Sequence, residues 1–336
     1  MRAPRAWQSL CDARAFAAVY LLLNAALLPP FDYYRGYASL IGHGGPDFKT
    51  WLVREIVPAA ARILAAVLLL WIPYALMRRS PRRWWIYSAA LLAPVAFAIL
   101  VALPVWVDPL MTAYHPLADK ALSAEIQSLA ARCGVGPIPV LVGGDDTTVV
   151  GLGPTNRIIL GEDIFRNDTP AEIRMTVGHE LKHYVMGDNY KALAIIVVSL
   201  FLALWLVDRL GKGMIARWHR AFGFNDLADP ASLPLIVLIA TAYWLAITPA
   251  FNLFARSVEH EADRFGLELT HENHALAQNE AAYITRDHDP PEWDTFFLIF
   301  RATHPSDADR IRFANAYRPW AEGKPLVYGS ACRPAD

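Results

Sequence analysis

The chain has 336 residues, with 31 Lys and Arg against 32 Asp and Glu, so its formal net charge is −1. That near-neutrality removes the electrostatic case for a nucleic-acid partner. Hydrophobic residues make up 55% and charged residues 19%, with a mean hydropathy of +0.25. This is too apolar for an ordinary soluble domain and predicts a protein embedded in a lipid bilayer.

Five stretches are apolar enough to predict membrane spans: Ala15 to Phe31, Ile56 to Met77, Trp84 to Val107, Ala192 to Val207 and Leu233 to Phe254. A span needs about 20 mostly apolar residues; the first and fourth are short and are read as tilted or extended by their flanks. The first could be mistaken for a signal peptide. It lacks a clear small-residue cleavage site and ends in Pro29-Pro30-Phe31, so it is read as retained. Arg78, Arg79, Arg82 and Arg83 precede Trp84-Trp85 as an interfacial anchor. These divisions predict an N-terminal membrane domain over 1–111, a catalytic segment over 112–188, a transmembrane hairpin over 189–254 and a closing segment over 255–336.

A water-soluble segment follows the third span. Ala118 to Cys133 has the period of an amphipathic helix, with Leu122, Ile126 and Leu129 on one face. Three short β-like runs come next, Ile138 to Val142, Thr147 to Leu152 and Asn156 to Leu160. Gly153-Pro154-Thr155 links the last two as a hairpin. Cys11, Cys133 and Cys332 are odd in number and form no CxxC pair. They argue against a disulfide framework or a thiolate zinc site and are read as inert buried thiols.

Thr169-Pro170-Ala171-Glu172 carries a capping residue, a proline at the first helical position and a glutamate at the third. The predicted helix runs to Gly187 and carries His179-Glu180-Leu181-Lys182-His183, an HExxH motif. Positions i and i+4 share a helix face, so His179 and His183 can bind one zinc ion while Glu180 takes a proton from metal-activated water. The bland reading is a solvated helix with two surface histidines. A third ligand is needed if water is to keep the fourth position. Glu259 is the preferred source, with Asp263 one turn on to orient a histidine ligand. His260, His271 and His274 are rivals, and an acidic surface helix is the bland alternative. The two helices are separated in sequence by the predicted hairpin, which puts the site close to the bilayer.

An HExxH followed by an ExxxD across a membrane hairpin resembles the type I CAAX prenyl proteases, integral-membrane zinc endopeptidases related to the heat-shock membrane proteases. The likeness extends to Phe31-Asp32-Tyr33-Tyr34-Arg35, Asp108-Pro109-Leu110, His115-Pro116-Leu117, Gly151 with Asn156-Arg157-Ile158-Ile159-Leu160, Ala221-Phe222-Gly223-Phe224, and Thr303-His304-Pro305 with Arg310. It implies a mostly α membrane protein of about five transmembrane helices, carrying a gluzincin-type zinc domain with a small β-sheet. It also implies one Zn2+ per chain, an oxyanion donor in His304, and Arg310 positioning His304 or the substrate. The chain departs from the pattern at Asp146 and Thr147 before the second strand, at Lys182 in place of a glycine, and at Asp188 in place of a histidine.

The expected function is hydrolysis of peptide bonds in membrane-associated substrates. The substrate is either a prenylated C-terminus or, in a bacterium as the Ala- and Arg-rich composition suggests, membrane proteins under quality control. The second strand could hold an extended substrate as an added strand. A non-catalytic zinc-binding membrane scaffold is the alternative. Loop charge places the catalytic segment outside the cell, whereas the resemblance places it on the cytoplasmic face of the inner membrane; the expectation follows the resemblance.

Overall fold

The computed structural model describes residues 69–110, 112–144, 147–286 and 290–332, with a few isolated positions before residue 69. The first expected span, most of the second, and Asp146 lie outside the described residues. Three helices are long and apolar enough to cross a membrane among the described residues: Trp84–Leu110, Asp188–Phe222 and Pro230–Thr270. They bury little of their apolar surface within the chain, as side chains that face lipid should. The chain divides into two compact units, residues 1–92 with 199–243, and residues 93–198 with 244–336.

In the first unit, helix α1 (Trp71–Arg79) ends in the basic turn and helix α2 (Trp84–Phe97) begins after it. Trp84 is buried and donates its indole N–H to Asp208 at 2.7 Å. That bond satisfies the one polar atom of the ring. In the second unit, Ala98 to Val107 continue the apolar run of α2 in π register around Pro104, whose ring has no N–H to give.

The second unit carries a four-stranded sheet, ordered β1 (His115–Pro116), β2 (Val140–Val142), β4 (Arg157–Leu160), β3 (Thr148–Val150). β2 and β4 are parallel; the other pairs are antiparallel. The hairpin expected around residues 153–155 is the β3–β4 pair, and β3 is an edge strand. β1 is a strand that two residues are too few to announce. Helix α3 (Lys120–Arg132) begins at Asp119, whose carboxylate caps Ala121 and Leu122 N–H. Its Leu122, Ile126 and Leu129 pack on β2 and β4.

A short helix, α4 (Ile164–Asn167), leads to α5 (Pro170–Met186). The expected capping box is present: Thr169 Oγ1 accepts from Glu172 N–H, Glu172 accepts from Thr169 N–H, and Gly187 closes the helix at φ 62°. Helix α6 (Asp188–Phe222) follows. Helix α7 (Leu233–Thr270) then runs without interruption, so the fifth expected span and the ligand-bearing segment are one helix. Helices α8 (Asn273–Arg286), α9 (Thr295–Phe300) and α10 (Asp307–Ala316) complete the chain.

One expectation fails. Cys133 and Cys332 form a disulfide, 199 residues apart in sequence. Cysteine spacing misleads here because the partners meet only after the tail folds back. Tyr328 N–H and Val327 N–H donate to Glu268 on α7, and the Tyr328 hydroxyl donates to Glu261, bringing Cys332 onto the end of α3.

A candidate metallopeptidase site between two helices

The site lies where α5 and α7 come close together. A Cβ on Gly178 of α5 would sit 3.2 Å from Gly266 Cα on α7, and a Cβ on Gly266 would sit 3.1 Å from His179 N. A side chain at either position would press on the facing helix. This close approach lets ligands from the two helices share one point, and sequence reasoning passed over both glycines.

His179, His183 and Glu259 are the one such metal-ligand group found among the described residues, with one donor atom from each within 4.8 Å of the others. His179 Nε2 is 3.1 Å from Glu259 Oε2 and 3.3 Å from His183 Nε2. Two imidazoles, one carboxylate and room for water match the donor set of a catalytic zinc site. Metal affinity also depends on what holds the outer nitrogens. His179 Nδ1 is 2.9 Å from Asp263 Oδ1, and His183 Nδ1 is 2.9 Å from Asp188 Oδ2. Burial works against a charged His179 imidazole, yet Asp263 and Glu259 hold its proton up to about 10. The same negative field favours a bound cation.

The rivals point elsewhere. His260 packs on Phe313, His271 stacks on Trp320, and His274 is exposed. Glu180 is buried beside the ligands; burial raises its pKa, and His179, His183 and a hydrogen bond from Val149 N–H oppose that shift. The Val149 carbonyl lies 3.4 Å from the Asn189 side-chain amide. The centre of edge strand β3 is thus already engaged.

A cavity of about 310 Å³ opens on these groups; its wall includes Thr147, His179, Glu180, His304 and Arg310. His304 has its Nε2 3.5 Å from Glu259 Oε2 and its Nδ1 3.1 Å from the Thr303 hydroxyl. Burial lowers its pKa. Arg310 does not reach for His304. Its Nε and Nη2 donate to Asp263 at 2.8 and 2.6 Å, and its Nη1 pairs with Glu280 at 2.6 Å. Glu280 is 1% exposed, and burial raises its pKa to about 7 despite Arg310. Nothing in the local sequence marks Glu280, because its role depends on a partner 30 residues further on.

A metal-ligand triad on two crossing helices, with a buried carboxylate in the adjoining cavity, defines a metallopeptidase. The chain belongs to peptidase family M48, whose model matches residues 116–318. It is similar to the "Uncharacterized metalloprotease YhfN" of Bacillus subtilis, 28% identical over 311 residues, covering 89% of this chain and 72% of the relative. It is also similar to the CAAX prenyl protease 1 homolog of Dictyostelium discoideum, 23% identical over 253 residues. That match covers 71% of this chain but 59% of the relative. The crystal structure of S. mikatae Ste24p shares the fold, with a TM-score of 0.72 at 20% identity over 93% of this chain and 75% of that one. The chain is therefore a membrane metalloprotease.

Proposed function

We propose that this protein is a zinc endopeptidase that cleaves membrane-associated polypeptides, with His179, His183 and Glu259 as metal ligands and Glu180 as the general base. The convergence of those three donors beside a buried Glu180 carries the reading. Zinc held there supplies a Lewis acid that acidifies water and polarises the scissile carbonyl. Glu180 takes the proton of the attacking water and passes it to the leaving amine; its raised pKa brings its proton affinity closer to that task. Asp263 fixes the His179 ring, and Arg310 with Glu280 fixes Asp263. With the Thr303 hydroxyl donating to Nδ1, His304 Nε2 carries its proton toward the cavity and stabilises the developing oxyanion. An extended substrate added to the edge of β3 takes over the N–H and carbonyl of Val149, freeing the Glu180 carboxylate for the water.

The substrate is a polypeptide at the bilayer of a bacterial inner membrane. Glu259 lies five residues beyond Phe254, only about 7–8 Å further along the same helix. The names of relatives favour a prenylated C-terminal peptide; a membrane-protein fragment is the other arm of the test. Purified wild type and Glu180→Gln are compared on prenylated and unmodified peptides by mass spectrometry. Zinc-dependent cleavage by wild type alone supports the proposal; equal turnover by both proteins removes Glu180 from the mechanism. A structural-zinc scaffold needs a fourth protein ligand, and the cluster among the described residues has three.

A further inference from the structure

We infer that Lys182 and Asp188 form a positioning pair for the second metal-ligand histidine. Lys182 is 3% exposed although it lies inside the HExxH motif. Lysine is almost never that buried without partners. Its Nζ is 2.7 Å from Asp188 Oδ2 and 2.7 Å from the carbonyl of Val258, the residue before Glu259. The same Asp188 oxygen is 2.9 Å from His183 Nδ1. One ammonium therefore ties the group that orients His183 to the backbone that presents Glu259. The arrangement mirrors the other histidine, where Arg310 holds Asp263 and Asp263 holds His179. Each ligand histidine has its own carboxylate, and each carboxylate its own buried cation. The two residues that depart from the prenyl-protease pattern near the motif are thus one interaction, and neither touches the cavity.

This inference rests on the proposed zinc ligands and is tested on the full-length protein in detergent by zinc competition with a chromophoric chelator. Lys182→Met and Asp188→Asn should each weaken zinc binding about 10- to 100-fold, and the double variant should lose little more than the worse single one. Lys191→Met, which removes the exposed second partner of Asp188, should bind zinc within about 3-fold of wild type. Folded Lys182→Met and Asp188→Asn proteins with wild-type zinc affinity would overturn the pair. If Lys182→Met does not fold, Asp188→Asn alone decides. Absence of zinc binding by wild type, or its persistence in His183→Ala, would instead count against the proposed ligand set.

Discussion

Two buried carboxyls beside the ligands carry different burdens. Glu180 is proposed to move the proton, so Glu180→Gln should lower peptide cleavage by about 10²- to 10⁴-fold. Metal analysis should still find one zinc per chain; loss of the metal as well would make Glu180 part of the ligand support. Glu280 bears on stability. Its pKa rises from 4.5 to about 7 because burial, with Asp263 and Asp307 nearby, outweighs Arg310. The folded state then holds this proton more tightly than the unfolded chain. Its destabilising effect is absent below about 4.5, grows through that window, and is complete above about 7. Roughly 3 kcal/mol is at stake. Thermal unfolding in detergent from pH 4 to 8 should show a decline that is flatter in Glu280→Gln; parallel curves would refute the assignment.

At the scale of elements, the close passage of α5 and α7 is the feature most exposed to mutation. Gly266→Val places methyl groups against Met175 and the backbone of His179. The overpacking should cost about 1–3 kcal/mol, and because it separates Glu259 from the histidines it should weaken zinc binding at least tenfold. A variant that loses stability but keeps zinc affinity would show that the helices can part without disturbing the ligands. The tail strap is the second such feature. The Cys133–Cys332 bond closes a loop of about 200 residues, so Cys133→Ser should lower stability by about 2–4 kcal/mol. Reductant should shift the melting temperature of wild type and leave the variant unchanged.

The molecule combines long apolar helices with a compact unit that holds the metal-ligand cluster. The ligands come from α5 and α7, so metal links two helices through ligands that lie more than 70 residues apart in sequence. Chelation should abolish cleavage and lower the unfolding temperature, and added zinc should restore both. Activity that survives complete metal removal would contradict the metallopeptidase assignment. Much of this architecture was legible beforehand. The apolar runs, the capping box at Thr169 and Glu172, the β3–β4 hairpin and the two candidate ligand segments are local patterns with a fixed period or spacing. Less legible were the span boundaries: α7 passes from an apolar stretch into the Glu259 segment with no break, and hydropathy registers only the apolar part.

The sequence by itself determined the class of chemistry, because i, i+4 histidines on a capped helix and a later ExxxD need no tertiary information to be recognised. It also determined the membrane setting, since composition alone places the chain there. Only the tertiary structure decided what surrounds the ligands. Arg310 turns to Asp263 and Glu280 instead of His304, Lys182 and Asp188 become one pair, Gly178 meets Gly266, and Cys133 finds Cys332. Each of these interactions joins residues whose types carry no periodic signal for their partner. Lys182 and Asp188 meet across the turn at Gly187, and the others meet through the packing of helices and the return of the tail; a linear pattern does not encode those distances.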